Sequence, residues 1–412
     1  MFNTIKISFS YFLCRVAFIF NPNSNSALAF KKLTGTSFNL PEKQRYAYRS
    51  VLAGIKSAFD IPTGNSLNKS KNQTLIYDIT GNAEQERKEF LNYYGITEPM
   101  DFISAQDLTF FNSNLDKFTF LLFNIPTIIH LMIFGSFKKD RSGLNSILRN
   151  LVVTRNLWNY ASENSIKKIY VFSIYDTNSA FLSQILMNKG VFISSITSEV
   201  PLYMWNKIVI TNEIILCSDY QLKELENFKT IRFDSKKLFG PELFYKIADH
   251  YKDLPIKNSN IGFYSTGGWV RNKLGHIDQG NNMERFEGIL LKDLNSILKE
   301  RKDLKLIIYP HPRERSFFND SEALLIEHYK AFLPDVNFEI NKKAGSNNLL
   351  FNDVHLAVCY MTTLIFERAH AKRKSLIAYF NEPDFLVQNN LDYLSIIDSK
   401  EALKKIIELN FA

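Results

Sequence analysis

From residue 74 onward, short apolar runs alternate with longer stretches in which apolar positions recur every three or four residues. In the first half the runs are Thr74–Ile79, Lys168–Ile174, Val191–Ile196 and Ile214–Cys217. In the second they are Ile261–Tyr264, Leu304–Tyr309, Val336–Ile340, Leu356–Cys359 and Ser375–Phe380. Their length and near-continuous apolarity predict strands buried on both faces. The helical period predicts helices over Glu84–Tyr94, Leu144–Asn164, Ala180–Met187, from Asp219, and over Glu284–Arg301, Ser321–Phe332, Thr363–Lys372 and Lys400–Leu409. Strand–helix alternation at this spacing means βαβ units and parallel sheets. A polar stretch with one proline, residues 250–260, interrupts the pattern. The expectation is therefore an α/β chain of two Rossmann-like domains facing a cleft, residues 1–255 and 256–412.

Two apolar stretches do not fit the alternation. Ile5–Phe20 is broken by Lys6, Ser8, Ser10, Cys14 and Arg15. No clear small-residue cleavage site follows, so the reading is a buried first strand or a surface anchor. Phe118–Phe137 has the length of a bilayer span but contains Asn124, Pro126, Thr127 and His130, with Lys138, Lys139 and Arg141 behind it. A buried helix, a helix lying on a membrane and a true span all remain open there.

Composition narrows the function. The 412 residues are 45% hydrophobic and 14% aromatic, enough for two cores. The net charge of +8 suits anionic small molecules or an anionic membrane surface. No arginine-rich or aromatic-basic signature points to nucleic acid. Cys14, Cys217 and Cys359 are few, odd in number and far apart, so neither a disulfide framework nor a zinc site is indicated. A reducing, cytoplasmic compartment fits, with peripheral contact to the inner membrane face as one reading of 118–137.

The chemistry gathers at predicted strand ends, where open α/β sheets bind ligands. Pro310 and Pro312 stop the strand before them and hold His311 in a fixed loop, with Arg313 and Arg315 next. Ser265, Thr266, Gly267 and Gly268 follow the strand at 261 and offer hydroxyls and free backbone N–H groups to a phosphate. Thr362 and Thr363 open a helix, whose first amides attract anions; simple N-capping by Thr362 is the plainer reading. Glu367, one turn on, could take ribose hydroxyls. In the first half Glu199 follows a strand and could serve as a base. Asp176 competes, although Asp176 and Asn178 also sit where a helix N-cap belongs. There is no D-x-D, G-x-S-x-G, H-E-x-x-H or P-loop.

The His311-Pro312 pair after a strand and the Thr362-Thr363 pair opening a later helix resemble bacterial GT-B glycosyltransferases of capsule and lipooligosaccharide assembly. The sialyltransferase and polysialyltransferase groups are most similar. The resemblance spans roughly residues 190–390. It implies a metal-independent, inverting enzyme without a separate cofactor. The donor would be a CMP-linked sugar acid, sialic acid-like or Kdo, and the acceptor an oligosaccharide or glycolipid. By that resemblance His311 contacts the donor phosphate and assists its departure, and Thr362 and Thr363 hold the same phosphate. The acidic–acidic–glycine motif that carries the base in those groups has only Ser198-Glu199-Val200 as its nearest counterpart here. UDP- or GDP-sugar transferases, CDP-polyol phosphotransferases and a membrane-associated glycan-binding scaffold remain alternatives.

Overall fold

Central strands buried on both faces, as the apolar runs predict, and more exposed edge strands build two six-stranded sheets in the computed structural model. It describes residues 2–21, 23–33, 56, 59–64, 67–79, 81, 84–126, 142–172, 178–197, 208–216, 221–222, 225, 229–239, 252–273, 277–341, 351–360, 362–379 and 393–411. The chain divides into two compact units, Met1–Gly240 and Pro241–Ala412, so the polar stretch 250–260 falls within the second.

The first unit holds β1 (Thr74–Asp78), β2 (Met100–Ser104), β3 (Lys168–Val171), β4 (Phe192–Ile196), β5 (Val209–Ile210), β6 (Glu213–Leu216), β7 (Ile231–Arg232) and β8 (Ser235–Leu238). Its main sheet runs β2-β1-β3-β4-β6-β8 with every pair parallel; β5 and β7 pair separately. The second unit holds β9 (Ile261–Tyr264), β10 (Leu306–Tyr309), β11 (Phe338–Ile340), β12 (Leu356–Cys359), β13 (Ser375–Ala378) and β14 (Leu394–Ile397). Their order is β11-β10-β9-β12-β13-β14, again all parallel. Numbered from β9 this is 3-2-1-4-5-6, the doubly wound Rossmann order, whose winding reverses between the first and fourth strands. The two units are thus both Rossmann-like, but they are wound differently.

The helices are α1 (Phe2–Phe20), α2 (Asn25–Leu33), α3 (Glu84–Tyr93), α4 (Asn114–Phe123), α5 (Ser142–Glu163), α6 (Ser179–Met187), α7 (Gly268–Lys273), α8 (Ile277–Leu298), α9 (Pro312–Phe317), α10 (Glu322–Lys330), α11 (Thr363–His370) and α12 (Lys400–Asn410). Ile5–Phe20 is helical rather than a buried first strand. Ile7, Tyr11 and Cys14 recur at helical spacing and enter a core with Phe30, Phe120, Leu148 and Phe181. Of the 118–137 stretch, α4 and the two residues after Asn124 are described, and 127–137 lies outside the described residues. No helix among the described residues is long and apolar enough to cross a membrane. Asn178 stands at the N-cap of α6 but makes no side-chain cap. Its carboxamide instead accepts from Thr154 Oγ1 (3.1 Å) and donates to Asn150 O (3.3 Å), tying α6 to α5.

One central strand leaves room for no side chain at a single position. A Cβ on Gly262 of β9 would lie 3.0 Å from Val354 Cγ2 and 3.2 Å from the rings of Tyr264 and Tyr309. Those rings stack at 4.5 Å and 4°. Gly262→Ala should therefore strain the stack and destabilise the protein by about 1–3 kcal/mol, the usual range for overpacking. Urea unfolding would show a lower midpoint at constant slope; an unchanged midpoint would mean the stack yields freely.

Candidate functional site

The register of the second sheet brings three loops to one edge. Tyr309 pairs with Tyr264, and Val358 with Phe263, so β10, β9 and β12 end level with one another. The segments 265–268 and 310–312 and the residues 360, 362 and 363 leave the sheet side by side, the first and last flanking the reversal of winding. His311, the 265–268 turn and Thr362 are thus neighbours in the fold, as their strand-end positions predict.

His311 is held in extended geometry (φ −62°, ψ 145°) as the N-cap of α9, with Pro312 at the first helical position. Its Nδ1 accepts the N–H of Arg313 at 3.1 Å. An accepting Nδ1 puts the proton of the neutral ring on Nε2, so the ring is oriented as an Nε2–H donor. Gly267 lies against the base of this ring. Its φ of +66° is left-handed, and a Cβ there would sit 3.1 Å from His311 Cβ and Cγ. Arg313 and Pro312 are exposed. Arg315 is not an anion ligand held in reserve: its guanidinium donates to the carbonyl of Asn341, just past β11.

Beneath the loops lie two acids that the sequence reading passed over. Glu314 is fully buried. Its Oε2 accepts the His311 N–H at 2.7 Å, closing a capping box with histidine in the place of serine. Its Oε1 accepts the Trp269 indole N–H, and both oxygens accept from the Tyr329 hydroxyl at 3.1 Å. Glu287, from α8, accepts the N–H groups of Thr266 and of Gly268, the latter at 3.2 Å. The remaining amide, Gly267 N–H, donates to Ser265 Oγ at 3.0 Å. The expectation of free amides in this turn is corrected accordingly: a carboxylate of the protein already occupies two of them. The spacing His-x-x-Glu was a readable sign of the Glu314 cap. Nothing local marks Glu287, which lies 21 residues from Thr266.

Burial, and then the charge of Glu314, push Glu287 up to about 7. Burial likewise raises Glu314 against the pull of its donors. His328 stacks on Trp269 at 4.2 Å, and burial followed by the Lys273 charge lowers it to about 4.

At the end of β12, Thr362 is the N-cap of α11 in extended geometry, yet its side chain makes no capping bond. The capping reading of its hydroxyl therefore fails. Its N–H donates to the Cys359 thiol, a buried group whose pKa burial drives upward. Thr363 begins the helix, and Glu367 is half-buried one turn later. Arg368, fully buried beside it, donates to the carbonyls of Val354 (2.7 Å) and His355 (3.3 Å) and fixes the segment entering β12. Glu199 and Asp176 both lie outside the described residues. In the first unit, Asp78 ends β1 fully buried and is committed to Arg87 Nε at 2.7 Å. Among the described residues there is no group of three His, Cys, Asp or Glu placed to hold a metal ion.

No family model and no curated protein matches the sequence. Solved structures with a similar chain course include UDP-GlcNAc 2-epimerase of Methanocaldococcus jannaschii in complex with UDP-GlcNAc and UDP. It is 14% identical, with 82% of this chain and 91% of that one covered and a TM-score of 0.46. MurG of Acinetobacter baumannii is 10% identical over 82% and 90% of the two chains, with a TM-score of 0.42. A glycosyltransferase from Rickettsia africae is 14% identical over 83% and 89%, also at 0.42.

The raised glutamates and the lowered histidine pull stability in opposite directions. Glu287 binds its proton more tightly when folded, so its contribution is full below the ordinary carboxylate range and is lost as pH rises through about 7. His328 binds its proton less tightly when folded, so its contribution is full above 6.5 and is lost as pH falls through about 4. Between pH 4.5 and 6.5 these slopes oppose each other. Glu287→Gln should remove its falling slope while Glu314 keeps its own, so stability should fall less steeply, or rise, with pH across that window relative to the wild type. Chemical denaturation at several pH values checks this; a variant that tracks the wild type would remove Glu287 from the balance.

Proposed function

We propose that the chain is an inverting, metal-independent glycosyltransferase of the GT-B kind. The donor is a CMP-activated sugar acid, and the acceptor is a hydroxyl of a cell-surface oligosaccharide or glycolipid. The observation that carries the proposal is the orientation of His311 beside the winding reversal of a Rossmann sheet. Its Nδ1 is taken by a backbone amide, which makes Nε2 the donor nitrogen of the neutral ring, and the residue follows β10 at the edge where such sheets receive nucleotides.

In this reading the acceptor oxygen attacks the anomeric carbon, the bond to the donor phosphate oxygen breaks, and the configuration inverts. Charge then grows on the departing CMP phosphate. His311 Nε2–H and the hydroxyls of Thr362 and Thr363 stabilise that charge, and exposed Arg313 adds a cation. A leaving group with a single phosphate can be served by such donors alone. Ser265 and Thr266 supply no amide to the phosphate in this arrangement; the turn they begin shapes the wall behind His311. Glu367, half-buried one turn into α11, would take the ribose hydroxyls. The base that deprotonates the acceptor would be Glu199, with Asp176 as its competitor. Arg87 already holds Asp78, which leaves that carboxylate a structural task.

Three measurements test this. In a thermal-shift screen against CMP, UDP, GDP and CDP, CMP should raise the melting temperature most, because only a bound ligand stabilises by mass action. A shift with UDP or GDP alone would replace the donor class, and a shift with CDP alone would favour polyol-phosphate transfer. His311→Ala should cost roughly 10²- to 10⁴-fold in kcat. Folding should lose only about 1 kcal/mol, the worth of a helix cap. Near-wild-type turnover would remove the role. Replacing Thr362 and Thr363 together by alanine should weaken nucleotide binding by roughly 3 kcal/mol, about two hydrogen bonds to a charged group. An unchanged Kd by calorimetry would leave the phosphate without these ligands.

A further inference from the structure

Helix α1 is apolar on two opposite faces. Ile7, Tyr11 and Cys14 point into the core. At 100° per residue, Phe9, Phe12, Leu13, Val16 and Phe20 fall on the other side. That side is outside: Phe9 is 56% and Phe20 81% exposed, and Phe12 and Leu13 are exposed as well. The rings of Phe9 and Phe12 stack on one another at 6.5 Å. A helix apolar on both sides ordinarily has something on both sides.

The neighbouring α4, which α1 touches, repeats the arrangement. Lys117, Phe120 and Leu121 are buried. Leu115, Phe118 and Leu122 are exposed at i, i+3 and i+7, Leu115 at 74% and Phe118 at 60%, and Ile125 continues the series. Seven large apolar side chains are thus exposed on two adjoining helices, with Ile125 beyond them. Isolated exposed apolar groups need no explanation, but a cluster of this size marks an interaction surface.

Charge says what meets it. Residues 1–59 contain eight Lys and Arg and a single Glu, so they carry +7 of the chain's net +8. Residues 2–20 contain no acid at all. Apolar side chains on a helix whose charges are all basic suit the boundary between headgroups and acyl chains of an anionic membrane. We infer that α1 and α4 form a peripheral docking surface for an anionic lipid bilayer, with their exposed stripes set into the interface and the net positive charge of the N-terminal sequence favouring anionic headgroups. This inference stands apart from the donor chemistry, since it uses no residue of the second unit.

The test is cosedimentation of the full chain with vesicles of phosphatidylcholine alone and with about one-third phosphatidylglycerol, at low and high salt. The wild type should pellet with the anionic vesicles, only weakly with the neutral ones, and less as salt screens the charge. Phe9→Ser, Phe12→Ser and Phe118→Ser combined should lower the apparent affinity about tenfold or more, because two signals are needed for stable attachment. These side chains are exposed, so the melting temperature and the CMP shift of the variant should stay at wild-type values. The inference is overturned if the wild type remains in the supernatant with anionic vesicles, or if the triple variant pellets equally well. It is also overturned if sedimentation equilibrium shows a dimer that the triple variant dissolves, because the face then belongs to a second copy of the chain.

Discussion

A single buried carboxylate gathers three parts of the second unit. Glu314 accepts hydrogen bonds from the His311 backbone, the Trp269 indole and the Tyr329 hydroxyl, which belong to the loop after β10, to α7 and to α10. A carboxylate in an apolar interior is costly unless its oxygens are fully engaged, and these are. Each donor fixes one element, so the position of His311 is set from below rather than by its exposed neighbours. The prolines on either side restrict the backbone, and Glu314 chooses one place for it.

Glu287 performs the matching task one loop away. Its carboxylate sits on the amides of Thr266 and Gly268, much as a phosphate sits in a backbone nest. The turn is thereby shaped without any ligand, and Gly267 can press against the imidazole at a distance no side chain would permit. With two acids close together in the interior, neither titrates in the ordinary range.

The order of strands and helices from residue 74 onward was readable because both periods are strong there. The central strands are apolar throughout, and loops with proline, glycine and threonine mark their ends. Strands with weak patterns escaped. Met100–Ser104 carries an aspartate, Ser235–Leu238 two lysines, and Leu394–Ile397 a serine, so none shows a continuous apolar run. The segment Ile5–Phe20 misled for a different reason. Apolar residues on two faces of a helix look, in one dimension, like an unbroken strand. At the site, His311 and Thr362 announced themselves through local grammar. Glu287 did not, since its partners are defined only when α8 packs under the turn. The failure of Thr362 to cap its helix is likewise a matter of rotamer, which no spacing rule records.

The packing of the N-terminal helices has a consequence for synthesis. Helix α2 rests on α6: Gln184 Nε2 donates to Ser26 Oγ at 2.7 Å, and Tyr11 of α1 meets the ring of Phe181 edge-on at 6.4 Å. These partners lie 158 and 170 residues further along the chain. At roughly 5–20 residues per second, α1 and α2 leave the ribosome some ten to thirty seconds before the surface that receives them exists. During that interval the core face of α1 is covered in stages, first by Phe30 of α2, then by Phe120 of α4 and Leu148 of α5, and only last by Phe181 of α6, while the outer face stays bare throughout.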